Sequence, residues 1–278
     1  MGSKKSSICA SIARSVRKVD GAPPPPLVAS ARPAYHFLHR QDYWRRQTVK
    51  FDVIEPGIYP ELIYPAYKST VPRGPKQPNL RIEAPVPVTQ NIVTTPRLLL
   101  PNDTDLTRHG QGEPLGEKIV VTGRVVDEDG KPVRNSLVEV WQANSAGRYW
   151  HNKDQHPAPL DPNFYGVGKM LTDDDGRYRF VTIKPGPYPW GNHEKAWRPA
   201  HIHFSLFGNV YAQRLVTQMY FPSDPLFDFD PIFQSVPDEA ARQRLISRFS
   251  MDETVGGEML GYEFDIVLRG RDATPMGL

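Results

Sequence analysis

Residues 118–142 read KIVVTGRVVDEDGKPVRNSLVEVWQ, and the fold is decided there. Residues 118–127 are rich in valine and alternate, the habit of a half-buried strand. Asp127-Glu128-Asp129-Gly130-Lys131-Pro132 is turn chemistry and predicts a hairpin. Residues 136–142 then read as the return strand, with Leu137 on one face and Val138 and Val140 on the other. Outward from this pair the same texture repeats. Thr172-Asp173-Asp174-Asp175-Gly176 is a second turn, followed by strand-like residues 177–181. Segments 200–207, 215–221 and 262–268 complete the set. One helix is expected over 238–249, with Ala241, Leu245 and Phe249 as its buried stripe and Ser235-x-x-Asp238 as a capping box. The expected fold is mainly β: an antiparallel β-sandwich core with long irregular loops, one short helix and an extended N-terminal arm.

Composition sets the outer bounds. The 278 residues include 29 prolines, about twice ordinary usage, which favours strands joined by long loops over a helical protein. A single cysteine, Cys9, excludes an internal disulfide framework and a thiolate metal site, and fits a reducing, cytoplasmic setting. No apolar run has the length of a membrane span, and no signal peptide is read at the start of the chain. Net charge is +3, unevenly spread: residues 1–50 hold ten Lys and Arg against Asp20 and Asp42, a net +8, which leaves −5 on the rest. The simplest role for that arm is docking on a partner subunit, with no nucleic acid or membrane partner implied. Three segments follow: a basic, Pro-rich arm at 1–50, an irregular, proline-punctuated wrapping segment at 51–115 with a short strand near 91–95, and a β-sandwich catalytic domain at 116–278.

The chemistry gathers at 184–203. If residues 200–207 form a strand, His201 and His203 point the same way and offer two nitrogens to a metal. Tyr188 stands between Pro187 and Pro189, each of which stiffens the backbone around it. A carboxylate soon after His-x-His is missing, since the first acid after His203 is Asp224. That disfavours a two-His-one-carboxylate iron(II) site. The conspicuous remaining donors are phenols, Tyr188 and Tyr149. Two tyrosinates and two neutral imidazoles leave Fe(III) with one net positive charge, and hard anionic oxygens favour the ferric state. His36 and His39 make a weak metal pair, and His109, His151, His156 and His193 read as loop surface. Asp173, Asp174 and Asp175 read as an Asp-rich turn and Trp141 as core.

Taken in order, 122–127 (TGRVVD), 138–143 (VEVWQA), 160–164 (LDPNF), 183–190 (IKPGPYPW), 197–204 (WRPAHIHF) and 264–270 (FDIVLRG) form a chain of motifs. In these the sequence resembles the intradiol ring-cleavage dioxygenases, and within that family the iron-bearing β chains that act on protocatechuate. The resemblance implies that Tyr149, Tyr188, His201 and His203 ligate Fe(III), with Tyr188 and His203 axial. It implies roles in catalysis for Arg198, Tyr188 and Gln218, and substrate contacts for Trp190, Arg198 and Tyr67. It implies a catechol substrate and O2 as reactants, a homologous α subunit in a hetero-oligomer, and a place in aromatic-compound catabolism by the β-ketoadipate route. The rivals are the same chemistry on catechol, hydroxyquinol or a sulfocatechol, and a non-catalytic transthyretin-like β-sandwich binding module.

Overall fold

In the computed structural model, which describes residues 57–77, 99–190, 197–207 and 214–276, the valine-rich stretch becomes the central strand of the larger sheet. The strands in chain order are β1 (Lys118–Val126), β2 (Leu137–Trp141), β3 (Val167–Leu171), β4 (Arg177–Ile183), β5 (Tyr188–Pro189), β6 (Trp197–Arg198), β7 (His201–Phe207), β8 (Arg214–Tyr220), β9 (Arg248–Val255), β10 (Met259–Glu263) and β11 (Ile266–Val267). Among the described residues three short α-helices accompany them: α1 (Thr70–Arg73), α2 (Pro231–Gln234) and α3 (Glu239–Gln243). The basic arm, His36 and His39, the strand expected near 91–95 and His193 lie outside the described residues. No helix among the described residues is long and apolar enough to cross a membrane.

Two sheets pack face to face. One runs β3-β2-β7-β8, antiparallel throughout. In the other, β1 pairs with β4 antiparallel along one edge and with β10 and then β11 along its other edge, while β9 extends the sheet beyond β10. Between them lies one large core, with Ile119, Val121, Val138, Phe180, Ile202, Phe204, Leu206 and Met219 among its members. A smaller cluster of Ile58, Tyr220, Phe233, Val236, Ala241, Leu245 and Ala273 packs under α2 and α3. The expected mainly β sandwich is what the chain adopts.

Several local expectations need correction. Residues 118–127 and 136–142 do not form a hairpin with each other: β1 and β2 belong to different sheets. The turn between them closes on itself instead. Asp127 Oδ1 accepts from the Asp129 and Lys131 backbone N–H groups at 3.0 and 2.9 Å, and Val133 N–H returns to Val125 O at 2.9 Å before the chain crosses over. The 172–176 turn is likewise a crossing between β3 and β4, with Asp173 Oδ1 accepting from Asp175 N and Arg177 N. Turn chemistry reports a reversal of direction; it carries no information about which sheet the next strand joins.

The pairing of β1 with β10 and β11 is parallel, so the larger sheet is mixed. The strand expected over 262–268 is broken at Phe264 and Asp265. There Phe264 N–H donates to Thr122 O (2.8 Å), Tyr178 Oη donates to Phe264 O (2.5 Å), and Asp265 Oδ1 accepts from Arg124 N (2.9 Å), a side chain standing in for a ladder bond. β3 and β9 form where the sequence predicts no strand. The expected helix over 238–249 is only α3, capped by Asp238, which accepts from Ala240 N and Ala241 N. It ends because β8 captures the chain: Tyr220 N–H donates to Leu245 O and Ser247 N–H to Tyr220 O, both at 2.8 Å. Ala241 and Leu245 are buried as expected, whereas Phe249 lies on β9 and is 47% exposed. Ser235 caps no N-terminus; it closes the C-terminal end of α2.

The break at Phe264 rests on Tyr178, a fully buried phenol whose ionisation burial pushes well up. Tyr178→Phe removes a donor from a buried carbonyl and should cost about 1–3 kcal/mol. Urea unfolding checks this; unchanged stability would show that the break is held by the backbone alone.

Candidate metal centre

The site grows from the two faces of β7. Ile202, Phe204 and Leu206 are fully buried and enter the main core, each contributing about 1.5–3 kcal/mol. Alternation then forces His201 and His203 onto the opposite face. Register supplies their neighbours: Trp141 on β2 and Gln218 on β8 stand opposite His203, and Tyr220 stands opposite His201. Trp141, expected in the core, is instead half-buried and stacked on the His203 ring at 4.8 Å with the planes 1° apart. Rings of His201 and His203 are 4.8 Å apart.

The two tyrosines arrive on separate loops. Tyr149 follows β2 in a turn built by side chains: Asn144 Oδ1 accepts from Ala146 N and Arg148 N, and Asp154 Oδ2 accepts from Tyr149 N at 2.8 Å. Tyr188 lies on β5, paired with Arg198 on β6. The loops meet backbone to backbone. Gly147 has φ +78°, and a Cβ there would lie 2.2 Å from Pro187 O; at Gly186 a Cβ would lie 2.3 Å from Ser145 O. Only residues without a side chain permit that approach. It brings the Tyr149 and Tyr188 rings to 5.4 Å, edge to face.

Tyr188 Oη is 3.3 Å from His201 Nε2, and Tyr149 Oη is 3.2 Å from His203 Nε2. These are long for hydrogen bonds. Two donors sharing one metal with bonds of about 2.1 Å, at an angle of about 90–120°, stand roughly 3.0–3.6 Å apart. The spacing therefore fits ligands around a common ion. Protonation fits too. His201 Nδ1–H donates to Pro199 O at 2.7 Å, which leaves the Nε2 lone pair facing the site. Burial, and then the Arg198 charge, hold the His201 pKa well below its ordinary value; burial, then His201 and Arg198, do the same for His203. Both rings are neutral bases at neutral pH. Burial, reinforced by Tyr188, pushes the Tyr149 phenol well up, so its ionisation requires a cation beside it. Among the described residues no three His, Cys, Asp or Glu side chains gather as a metal group. The donor set is two phenols and two neutral imidazoles; once ionised, the phenols become hard anionic oxygens of the kind suited to ferric iron.

The remaining expected residues lie along one side of this cluster. Arg198 is buried, with Nη1 3.2 Å from Tyr188 Oη and 2.9 Å from His201 Nε2. Its guanidinium lies 5.4 Å from the Trp190 ring centroid, and Tyr67 packs edge-on against Trp190 at 4.8 Å. Gln218 Oε1 accepts from Arg198 Nη2. The structure thus brings every expected site residue into one contiguous group. His109 stacks on Tyr165 and His156 lies against Trp197, both outside it.

Two members of the group escaped the sequence reading. Asp230 is fully buried and binds the Arg198 guanidinium through both oxygens, Oδ1 to Nε at 3.2 Å and Oδ2 to Nη2 at 2.9 Å. Tyr220, also fully buried, accepts from Arg198 Nη2 at 3.0 Å. Tyr220 was within reach of the alternation argument, two residues after Gln218 on the same face. For Asp230 the available signal was Asp230-Pro231, a cap followed by proline at the first helical position, which reports a helix start and not an arginine partner.

Gly147→Ala should force the two tyrosine loops apart while leaving the sheets intact. Metal retention should fall about 10–100-fold with an unchanged far-ultraviolet circular dichroism spectrum. Wild-type retention would mean that the loop contact does not set the phenol spacing.

A dioxygenase family profile matches residues 94–270, and a second, for the N terminus of the protocatechuate 3,4-dioxygenase β subunit, matches residues 55–83. The protocatechuate 3,4-dioxygenase β chain of Burkholderia cepacia is 64% identical over 220 residues, covering 78% of this chain and 93% of that one. Hydroxyquinol 1,2-dioxygenase of Rhizobium sp. (strain MTP-10005) is 36% identical over 42% of each chain. Among solved structures, 3-chlorocatechol 1,2-dioxygenase from Rhodococcus opacus 1CP aligns over 61% of this chain and 66% of its own, at 26% identity and a TM-score of 0.47. With a family match across well over half its length and a relative this similar across nearly all of the relative's own, the chain belongs to the intradiol ring-cleavage dioxygenase family.

Proposed function

We propose that this chain is the iron-bearing β subunit of a protocatechuate 3,4-dioxygenase, which opens protocatechuate with O2 to 3-carboxy-cis,cis-muconate together with a homologous α subunit. The observation that carries this reading is the convergence of Tyr149, Tyr188, His201 and His203 on one point beside the Arg198 guanidinium. The relative from Burkholderia cepacia supports the choice of substrate and, by its description as a β chain, the α partner. The lone cysteine, Cys9, fits work in the cytoplasm.

In this reading the four side chains hold ferric iron, which supplies Lewis acidity to a bound catecholate and makes its ring reactive toward O2. The protein's own groups do the rest. Tyr188 is the phenol in contact with Arg198 and is partly exposed, so its Oη is placed to exchange a proton with an incoming catechol hydroxyl. Arg198 Nη1 points its N–H groups at the same spot, where they donate to negative charge developing on substrate oxygen. Because the guanidinium is buried, that donation takes place away from water and at lower effective dielectric. Gln218 fixes the neighbouring edge of Arg198. Trp190 and Tyr67 form an aromatic wall on which a planar ring can lie.

Oxygen uptake by the purified, iron-loaded complex tests the assignment against a panel of protocatechuate, catechol, hydroxyquinol and a sulfocatechol. Protocatechuate should give the highest kcat/KM, by about tenfold or more over catechol, as expected when a ring carboxylate is met by a complementary polar group. A preference for plain catechol would overturn the substrate, and no uptake with any of the four would overturn the activity.

A further inference from the structure

Arg198 has five N–H groups, and the structure accounts for them unequally. Nε–H and one Nη2 proton go to the two oxygens of Asp230, at 3.2 and 2.9 Å. The other Nη2 proton faces Gln218 Oε1 and Tyr220 Oη. Nη1 alone points into the metal centre, toward Tyr188 Oη and His201 Nε2. One edge of the guanidinium is therefore clamped and the opposite prong is presented.

We infer that Asp230 is a positioning residue for the reaction: it clamps the Nε/Nη2 edge of Arg198 so that Nη1 stays aimed at substrate oxygen. This rests on the proposed dioxygenase reading and adds to it a residue on a separate element.

Three observations support it. Asp230 is fully buried and is itself fixed, since it caps α2 and its Oδ1 accepts from Ile232 N–H at 3.1 Å ahead of Pro231. Tyr220 Oη, 2.9 Å from Asp230 Oδ2 and 3.0 Å from Gln218 Oε1, closes the clamp from β8. A buried ion pair is poor value as a stabilising device, because desolvation offsets much of its attraction and apolar replacements often serve as well. An ion pair at full burial, with the free prong aimed at the site, is what a positioning device requires. When substrate arrives and Tyr188 Oη changes partner, a guanidinium held only by Nη1 is free to follow it. The clamped one keeps its donors in place.

Asp230→Asn separates positioning from packing. Asparagine has the same size and caps helices equally well, but it loses the charge and one acceptor of the fork. In the iron-loaded complex, kcat with protocatechuate should fall about 10–100-fold, with KM changed less than about threefold. Iron content and the visible spectrum should stay at wild-type values. Arg198→Lys should also slow turnover, and Arg198→Lys/Asp230→Asn should be no slower than Arg198→Lys alone, because the two residues act as one unit. A crystal structure of Asp230→Asn should show Nη1 withdrawn from Tyr188 Oη. If the variant does not fold, Asp230→Glu keeps the charge while moving it by one methylene, and should slow kcat about tenfold by the same misplacement. The inference is overturned by wild-type kcat in the variant, by multiplicative effects in the double variant, by loss of iron in parallel with activity, or by an unmoved guanidinium. Inactivity of the wild-type complex sinks the dioxygenase reading instead, and the crystallographic result judges the clamp independently of it.

Discussion

A single seven-residue strand serves the core with one face and the candidate site with the other, and the rest of the chain is arranged around it. On one side of β7, Ile202, Phe204 and Leu206 are locked into the main core. That burial prevents the strand from slipping by one residue, because a slip would exchange core and outer faces. The consequence on the other side is a fixed pair of imidazoles. The precision of the candidate site is thus inherited from apolar packing on the opposite face of the strand. The same register delivers Trp141 and Gln218 opposite His203 and Tyr220 opposite His201.

Around that fixed edge the mobile-looking parts are pinned by small, specific devices. Gly147 and Gly186 allow two loop backbones to touch, which sets the separation of the phenols. Asp154 and Asn144 replace missing ladder bonds in the Tyr149 loop. Opposite them, the Arg198–Asp230 pair brings a cation to the site without adding net charge to the interior. Burial opposes the Arg198 charge, but Asp230, Tyr188 and Tyr220 together outweigh burial, and the net shift in its pKa is upward. The arginine therefore remains a donor at every physiological pH.

Much of this was legible in the sequence. Alternation in 118–127 and 200–207, and the His-x-His pair within it, are local properties, and the strands form where those patterns lie. What stayed hidden was non-local. The Asp127–Pro132 turn looks like a hairpin because its chemistry is that of a hairpin; the sheet each strand joins is decided by partners far along the chain. The helix beginning at Asp238 stops early because Tyr220 captures residues 245–247, an interaction with no trace in the helical spacing. Asp230 and Arg198 are 32 residues apart, and nothing in either neighbourhood announces the other. Trp141 read as core because tryptophan on a strand usually is; only the register with His203 shows its face to be in use.

The central claim is that two phenols and two imidazoles of this chain hold one ferric ion. Resonance Raman spectroscopy of the iron-loaded protein, excited within its visible absorption band, addresses it directly. The account predicts enhanced ring vibrations of coordinated tyrosinate, reduced but still present in Tyr149→Phe and in Tyr188→Phe, and absent when both are replaced. Bound ferric iron whose spectrum shows no tyrosinate vibrations, or is indifferent to both substitutions, would contradict it.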